Sequence, residues 1–286
     1  MTPISPLGGR LRLAHGRHLE LGRRATIMGI LNVTPDSFSD GGRHESVDSA
    51  VEAALAMVAE GADIIDIGGE STRPGATPVD PAEEQRRVLP VIEALAGRPD
   101  VLLSIDTYRS ETARLAVAAG AHLVNDVFGA QKDAGIARVA AETGAGLCLM
   151  HTGREREPLA DEIEDQILFL TRSLEIASEA GVSREQIVLD PGFGFAKDGP
   201  LNMRLMARFE EIRPLGYPVL VGTSRKRFVR GLLGRDDPEP DVATAATSVL
   251  LRERGADIFR VHNVRANRDA LAIADAMSAA MAGEVW

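Results

Sequence analysis

The sequence predicts an α/β protein, a (β/α)8 TIM barrel preceded by a short N-terminal β-hairpin. Two observations carry this prediction. Short, continuously apolar runs alternate with longer segments whose apolar residues recur at helical spacing. This alternation is repeated eight times along the 286 residues. Alternating strands and helices form a parallel sheet, and eight such units close into a barrel.

The predicted strands are short and apolar throughout, which is typical of strands covered on both faces. They lie at residues 25–33, 63–67, 101–105, 122–125, 147–150, 187–189, 219–221 and 258–261. The predicted helices lie between and after them, at residues 46–61, 81–96, 110–119, 135–143, 162–180, 201–215, 228–233, 242–254 and 268–281.

Residues at the ends of the helical segments match the capping preferences of helices. Ser46 stands at an N-cap position and Gly61 at the matching C-cap. Asp80 and Pro81 form an N-cap and first-turn pair. An open doubly wound sheet is the alternative fold. We favour the barrel because no glycine-rich dinucleotide turn follows the first strand and because the unit count is eight.

The first 24 residues precede the repeating pattern. Two short alternating segments, 11–13 and 18–21, flank a turn at residues 14–17. We interpret them as a hairpin that plugs the N-terminal mouth of the barrel. The predicted organisation is therefore an N-terminal extension at residues 1–24 and a single barrel domain at residues 25–286.

The charge balance limits the classes of partner. The chain carries 42 acidic and 32 basic residues, a formal net charge of −10. Nucleic acid and anionic membranes attract basic surfaces, so neither is expected as a partner. An anionic small molecule remains possible where arginine and lysine cluster locally.

The sequence gives three hints about location. No apolar run approaches the roughly 18 residues of a membrane-spanning helix, and the N-terminus lacks the apolar core of a signal peptide. The single cysteine, Cys148, excludes an internal disulfide and is interpreted as a small buried hydrophobe. We expect a cytoplasmic protein.

Polar residues stand at the carboxyl end of nearly every predicted strand. They are Asn32, Asp66, Asp106, Asn125, His151, Asp190, Ser224 with Lys226, and Arg260 with His262. Barrel enzymes build their active sites at this face. Burying charge costs free energy unless it is paired, so eight polar strand ends in a row predict an active site.

The residue types at these ends favour particular ligands. The carboxylates of Asp106 and Asp190 suit a flat heterocycle whose edge carries N–H donors. Arg260 and His262 alternate across one residue and so share a face of their strand, where they offer donors to a phosphate or pyrophosphate. Asn32 offers an oxygen ligand to a hard cation such as Mg²⁺.

Several runs of sequence resemble the dihydropteroate synthase family. The two most specific are residues 28–42, MGILNVTPDSFSDGG, and 68–75, GGESTRPG. Shorter matches follow in order at residues 104–107, 125–127, 189–195, 224–226 and 260–262. The resemblance covers about residues 25–275 and reaches all eight predicted strand ends.

The resemblance implies a reaction. Members of the family condense 6-hydroxymethyl-7,8-dihydropterin pyrophosphate with p-aminobenzoate, need Mg²⁺, and are inhibited by sulfonamides. The products are 7,8-dihydropteroate and pyrophosphate. The resemblance also suggests a homodimer through outer helices near residues 243–286.

Carried over residue by residue, the resemblance implies a division of the site. The pterin would be held by Asp106, Asn125, Asp190 and Lys226. The diphosphate would be held by Asn32, Arg260 and His262, with Asn32 also contributing to Mg²⁺. The p-aminobenzoate pocket would be lined by Thr72, Arg73, Pro74, Phe195 and Ser224. The expected catalytic residues are Lys226, Asp106, Arg260 and His262, and residues 33–42 and 68–78 are expected to act as mobile flaps.

The sequence departs from the family pattern at three places. Residues 150–156 read MHTGRER after the fifth strand, Asn263 stands where aspartate is common, and Thr223 stands where methionine or alanine is common. These departures leave His151 and the fifth loop without an assigned role. The fifth-loop departure leaves a non-catalytic pterin-binding paralogue as one alternative function. A methyltetrahydrofolate-dependent methyltransferase is the other, because it would share the pterin carboxylates, although it has no use for a diphosphate clamp.

Other polar residues are interpreted as structural. Asp66 is expected to cap a turn, and Asp126 to bond loop backbone. One of Arg225 and Arg227 is expected to brace the sheet or a helix, and His44 and His122 to be structural or on the surface. The acidic residues from 161 to 165 are expected to form the negatively charged first turn of a helix.

Overall fold

A closed parallel barrel forms the body of the protein. The computed structural model describes residues 9–34, 43–71, 77–234 and 237–283. Within them the barrel strands are β3 Thr26–Asn32, β4 Ile64–Gly68, β5 Leu102–Asp106, β6 Leu123–Asp126, β7 Gly146–Met150, β8 Ile187–Asp190, β9 Leu220–Val221 and β10 Ile258–Val261. They pair in parallel in the order β8-β7-β6-β5-β4-β3-β10-β9. A parallel bridge between Leu189 and Val219 joins the two edges. The predicted barrel is confirmed.

Helices connect the strands and cover the outside of the barrel. They are α1 Arg43–Ala59, α2 Pro81–Leu95, α3 Ser110–Ala119, α4 Gly135–Thr143, α5 Glu162–Glu179, α6 Gly199–Ala207, α7 Arg227–Leu232, α8 Asp241–Glu253 and α9 Val264–Met281. The acidic first turn is confirmed in α5, where Asp161 Oδ1 accepts from the backbone N–H groups of Ile163 and Glu164 at 2.8 and 3.0 Å.

Three helices differ from their predicted extent by three residues or more. Helix α1 begins at Arg43 rather than at residue 46, so Ser46 lies inside the helix and the N-cap prediction for it is wrong. The helix predicted at residues 201–215 ends at Ala207, and a 3-10 segment, Phe209–Leu215, takes its place. Pro214 lies in that segment and has no N–H to donate to an earlier carbonyl. The last helix begins at Val264 rather than at residue 268, because the Asn263 side chain caps it by accepting from Ala266 N at 2.9 Å.

The predicted hairpin is present and closes the lower end of the barrel. Its strands are β1 Gly9–Arg12 and β2 His18–Leu21, paired antiparallel. Its leucines Leu11, Leu13 and Leu21 pack in one cluster with a single residue from each barrel strand, namely Met28, Ile64, Leu102, Leu123, Cys148, Val188, Leu220 and Ile258. The plug prediction agrees with this packing, whereas the division of the chain after residue 24 stays a prediction.

The barrel strands divide their side chains between two cores. Neighbouring positions on a strand point to opposite faces. The outward-facing residues, such as Ile65, Leu103 and Leu149, pack against the helices in a second, larger cluster. The inward-facing residues of the lower layer are apolar, and most of those above it are polar, although Ile30 and Met150 are also buried there. The polar strand ends therefore lie together above the lower layer.

Several polar residues are structural, as predicted. His122 is buried, its Nδ1 accepts from Leu103 N at 3.0 Å, and burial lowers the pKa of its ring to about 4. Asp126 accepts from the backbone N–H groups of Phe128 and Ala130 at 2.8 and 2.6 Å. Arg225 braces helix α8 through both oxygens of Asp241, each at 3.0 Å.

Across the parts of the chain that the structure describes, no helix is both long enough and apolar enough to cross a membrane.

Candidate active site

The upper layers of the barrel interior are mostly polar. Asp66, Ser104 and Asn125 each stand two positions after a residue of the lower apolar cluster, so they face inward on β4, β5 and β6. Asp106 and Arg260 follow the same alternation on β5 and β10. The barrel therefore places these side chains in one compartment at its carboxyl end.

Arg260 is held between two carboxylates. Its Nε donates to Asp66 Oδ2 at 2.6 Å, and its Nη2 donates to Asp106 Oδ2 at 2.7 Å. Asn125 Nδ2 also donates to Asp66 Oδ2, at 3.1 Å. Asp66 is completely buried. It orients Arg260 and Asn125 rather than capping a turn, which corrects the sequence interpretation.

Burial disfavours the charged form of Asp106. It raises the pKa of this carboxyl from 3.8 to about 7, even though the adjacent Arg260 guanidinium pulls the pKa down. The charge of nearby Asp66 adds to the rise. Asp106 is therefore poised to be either neutral or charged near pH 7, and its state responds to any charge that a ligand brings.

Lys226 and Asp190 lie close enough for their charges to interact. Asp190 is the last residue of β8, and Lys226 lies in the loop after the neighbouring strand β9. Lys226 Nζ donates to the carbonyl of Phe193, and Asp190 Oδ1 accepts from Gly192 N at 2.7 Å. Burial lowers the pKa of Lys226 to about 7, although the Asp190 carboxylate opposes the shift. Burial raises the pKa of Asp190, and here the charge of Lys226 opposes it.

The Phe195 ring lies among cations at the rim of the site. Lys226 Nζ is 4.5 Å from the ring centroid, and the Arg154 guanidinium carbon is 4.6 Å from it. Arg154 belongs to the fifth loop, so this unassigned loop does reach the predicted site. The ring provides an apolar surface that is flanked by positive charge.

Ser224 and His262 form a contacting pair. The Ser224 Oγ lies 2.9 Å from His262 Nδ1 and accepts from His262 N at 3.1 Å. Ser224 was predicted to bind p-aminobenzoate and His262 to bind the diphosphate, so the residues predicted for the two ligands are in contact here. Arg260 likewise joins the predicted diphosphate set to Asp106 of the pterin set.

Two buried acceptors point to a ligand with N–H donors. Among the described residues, Asp66 Oδ1 and Asn125 Oδ1 are buried and have no hydrogen-bond partner. A buried polar atom without a partner costs about 1–3 kcal/mol. A ligand edge that donates hydrogen bonds at these atoms would remove that cost.

Part of the predicted site lies outside the described residues. Thr72, Arg73 and Pro74 are in this group, as are most of residues 33–42. The residues that flank the 72–76 stretch are fixed by Arg109. Its Nη2 lies 2.7 Å from Glu70 Oε2 and donates to Val79 O at 2.8 Å. Its Nη1 donates to Glu84 Oε2 at 2.8 Å.

Two departures from the family pattern have structural roles. Thr223 Oγ1 lies 2.7 Å from Thr247 Oγ1, so this buried hydroxyl is paired. Asn263 caps α9 and also donates from Nδ2 to Asp241 Oδ2 at 2.9 Å. Neither residue removes a predicted ligand group from the site.

Sequence reasoning missed Lys197 and left His151 unassigned. The structure places them 2.9 Å apart, Nζ to Nδ1, directly behind the turn that carries Phe193 and Phe195. The amino-acid composition could have drawn attention to Lys197, because lysine is rare in this chain. The chain contains only three lysines, Lys132, Lys197 and Lys226, whereas arginine supplies the other basic residues.

An α/β barrel with this set of buried, paired and pKa-shifted side chains at the carboxyl ends of its strands has the site of a barrel enzyme. Comparison with known proteins gives the class. A family model described as pterin binding enzyme matches residues 28–262. The chain belongs to this family and, within it, to the dihydropteroate synthases.

Individual relatives support this membership. A dihydropteroate synthase of Streptococcus pyogenes is 48% identical over 251 residues, which are 87% of this chain and 94% of the relative. The Xanthomonas albilineans dihydropteroate synthase solved with 4-aminobenzoic acid superimposes with a TM-score of 0.88 at 43% identity, over 95% of this chain and 99% of that one. The same synthase in complex with 7,8-dihydropteroate gives a TM-score of 0.83 at 40% identity, over 94% and 99%. The predicted family, fold and function are confirmed.

Proposed function

We propose that the chain joins 6-hydroxymethyl-7,8-dihydropterin pyrophosphate to p-aminobenzoate, releasing 7,8-dihydropteroate and pyrophosphate. The observation that carries this proposal is the convergence of Asp106, Asn125, Asp190, Lys226 and Arg260 on one buried compartment in a member of this family. The reaction forms a C–N bond at the pterin methylene and breaks its C–O bond. The pyrophosphate departs with the electron pair of that bond, and the amine loses a proton.

The pterin would lie in the polar interior of the barrel. Its ring edge carries N–H donors, which suit Asp190 and the free acceptor of Asn125. Lys226 would reach the ring from the opposite side. If the C–O bond breaks ahead of amine attack, the methylene becomes cation-like, and the carboxylates of Asp106 and Asp190 would stabilise it.

The pyrophosphate would leave toward Arg260 and His262. Both side chains are partly exposed at the end of β10, where they can donate to phosphate oxygens. Arg260 is already fixed by Asp66 and Asp106, so little orientation is lost when the leaving group binds.

We include Mg²⁺ in the proposal. The residues of the site fit an ion that takes one ligand from the protein and the others from substrate and water. Among the described residues, no group of three or more His, Cys, Asp and Glu side chains can hold a metal ion. Asn32, at the end of β3, supplies one hard oxygen, which fits an ion whose other ligands are phosphate oxygens and water. When bound, the ion would neutralise charge on the leaving pyrophosphate.

The p-aminobenzoate would lie at the rim, against Phe195 and Ser224, with Thr72, Arg73 and Pro74 completing the pocket. The cations over the Phe195 ring favour an anionic aromatic molecule. No protein nucleophile is required. Cys148 is buried in the lower apolar cluster and, as predicted, is placed for packing rather than chemistry.

A pyrophosphate-release assay tests the proposed function. Purified protein with Mg²⁺ and both substrates is expected to release pyrophosphate and form 7,8-dihydropteroate, and a sulfonamide is expected to inhibit both. Omission of p-aminobenzoate should abolish product formation. If pyrophosphate is not released under any of these conditions while the protein is folded, the proposed reaction is wrong and a non-catalytic pterin-binding role gains support.

We further propose a homodimer in which the second copy packs on α8 and α9. Three large apolar residues recur at four-residue spacing along α9, so they share one face of it, and Ile273 is 73% exposed. The other two are Met277 and Met281, and Leu250 of α8 is also exposed.

The proposal also includes a cytoplasmic location, supported by the single cysteine, which suits a reducing compartment.

Light scattering after gel filtration tests the dimer. Wild type is expected to have twice the mass of one chain, and Ile273→Lys is expected to shift it toward the monomer mass because burying an unpaired charge is costly. Leu168→Lys, a matched change at an exposed leucine of α5, should leave the mass unchanged. A monomeric wild type would contradict the proposal.

A further inference from the structure

Two of the three lysines of the chain hold the same turn. The turn, residues 191–196, follows β8 and carries Phe193 and Phe195 into the candidate active site. Lys226 Nζ donates to Phe193 O on one side of it. Lys197 Nζ donates to Gly192 O at 2.9 Å and to Phe195 O at 3.4 Å. The two ammonium groups thus bind three carbonyls of one short segment, and the acceptor of Lys226 lies between the two acceptors of Lys197.

Lys197 is itself seated on His151. This histidine directly follows β7, is 1% exposed, and has its Nδ1 2.9 Å from Lys197 Nζ. An ammonium group can only donate, so Nδ1 accepts and the ring proton lies on Nε2. On the other side of the ring, Nε2 lies 2.8 Å from Asp165 Oδ2, which can accept that proton. Arg156 Nη2 is also 2.8 Å from Nε2, and its own N–H donates to Asp165 Oδ2.

The base of this arrangement is rigid. Asp165, on α5, accepts from Arg156 Nη1 at 2.8 Å through its other oxygen, Oδ1, and from Leu159 N at 2.8 Å. The carboxylate is held charged, because hydrogen bonds from His151 and Arg156 lower its pKa even though burial opposes them. A chain of charge-assisted contacts therefore runs from α5 through His151 to Lys197.

The turn has an unusual backbone, and the lysines share the task of holding it with Gln166, whose Nε2 donates to Pro191 O at 3.0 Å, and Asn202, whose Oδ1 accepts from Gly194 N at 2.7 Å. Gly192 and Gly194 have positive φ values of 64° and 78°, and Ala196 has one of 52°. A Cβ at residue 192 would lie 1.9 Å from His151 O, so the turn also packs directly on the residue that seats Lys197. The conformation of residues 191–196 also determines the positions of Lys226 and of the Phe195 ring.

We propose that Lys197, seated on His151, is a positioning residue of the active site. It holds the carbonyls of Gly192 and Phe195 so that Phe193 O meets Lys226 and the Phe195 ring faces p-aminobenzoate. This proposal rests on the proposed function. It also gives the fifth loop a role, since the loop supplies His151 and Arg156.

An ammonium group suits this task better than a guanidinium. It is a compact point charge with three donors, which match the three acceptors at Gly192, Phe195 and His151. The chain uses arginine at almost every other basic position, yet lysine stands here and at residue 226. The planar fork of arginine could not place its donors on three acceptors that converge on one point.

Lysine NMR and steady-state kinetics together test the proposal. In protein labelled with 13C at the lysine ε carbon, three signals are expected, one for each lysine. Lys197→Met should shift the Lys226 signal and leave the Lys132 signal in place. It should lower kcat roughly tenfold to a hundredfold and raise KM for p-aminobenzoate, because a misplacement of about 1 Å has effects of this size.

Lys132→Met is the matched control. Lys132 is partly exposed and pairs with Glu155 on the surface, so this variant should keep wild-type kinetics and an unchanged Lys226 signal. A well-folded Lys197→Met with the Lys226 signal in place and with kcat and both KM values within roughly twofold of wild type overturns the proposal.

Two variants of His151 cover the case in which Lys197→Met does not fold. His151→Asn keeps an acceptor for Lys197, whereas His151→Leu removes it. We expect a larger loss of kcat and a larger Lys226 shift in the leucine variant, and equal effects in both would overturn the proposal. If wild type releases no pyrophosphate, the proposed function fails, and the shift of the Lys226 signal still decides the positioning role.

Discussion

Replacing Lys226 with methionine is expected to lower kcat about a hundredfold or more, which corresponds to roughly 2.7 kcal/mol of barrier. Methionine keeps a stem of similar length and loses the ammonium group. That group donates to Phe193 O, lies 4.5 Å from the Phe195 ring centroid and is attracted by the Asp190 carboxylate. Its loss would remove the proposed contact to the pterin, and it removes the cation that balances Asp190. Pyrophosphate release measures kcat, and calorimetric titration measures pterin affinity.

The same variant should be more stable than wild type at neutral and lower pH. Burial lowers the pKa of Lys226 from 10.5 to about 7, so the folded state binds this proton less tightly than the unfolded state. The cost of burying the charged lysine is full below about pH 7 and disappears as the pH rises toward 10.5. The advantage of Lys226→Met over wild type should therefore shrink over that range, as measured by chemical denaturation.

A gain in stability with a loss of activity separates a functional lysine from a structural one. Lys132→Met again serves as the control and should change neither property, because Lys132 is partly exposed. A variant at residue 226 with wild-type kcat and wild-type pterin affinity would remove Lys226 from the mechanism. A large loss of stability together with the loss of activity would show that the side chain mainly supports the turn.

The alternation of apolar and polar residues was sufficient to predict the barrel and the face that bears the site. Both depend on local patterns, since a two-residue period along each strand decides which side chains point inward. The capping of α9 by Asn263 is also local, yet it was missed because the helical spacing of apolar residues begins later than the helix does. Apolar periodicity locates the packed part of a helix better than its first turn.

The ion pairs and hydrogen bonds between side chains of the site could not be predicted from the sequence. Asp66 and Arg260 are 194 positions apart in the chain, and only closure of the barrel between β3 and β10 brings them to 2.6 Å. The role of Lys197 is equally non-local, because its acceptors come from two loops. A motif reveals that residues share a site, but the distances decide which of them hold ligand and which hold one another.

Replacing Arg260 with methionine is expected to reduce both activity and stability. Arg260 is the cation that Asp66 and Asp106 share, at 2.6 and 2.7 Å. Breaking a buried ion pair by removing one partner costs about 3–5 kcal/mol, because the remaining charge is left uncompensated. The diphosphate should also bind more weakly, since the guanidinium would be lost from the path of the leaving group. We expect the KM for the pterin substrate to rise more than the KM for p-aminobenzoate.

The stability loss in this variant should depend on pH. The pKa of Asp106 is raised to about 7 by burial while Arg260 lowers it, so removing Arg260 raises it further. A folded-state pKa above the unfolded value of 3.8 contributes stability at low pH, and this contribution is lost as the pH rises through the folded pKa. The part of the loss that comes from Asp106 should therefore be small near pH 5 and large near pH 8, so the variant should lose more stability relative to wild type at pH 8 than at pH 5. Denaturation at the two pH values measures the difference.

A second substitution and a distant control separate the two effects. Asp66→Asn combined with Arg260→Met removes one of the two stranded carboxylates, so it should recover part of the stability and none of the activity. Arg252→Met is the matched control, because Arg252 is buried and pairs with Asp275 at 2.7 Å on the outer helices. It should destabilise the protein without changing either KM. If Arg260→Met raises both KM values equally, Arg260 does not hold the diphosphate and acts only by keeping Asp66 and Asp106 in place.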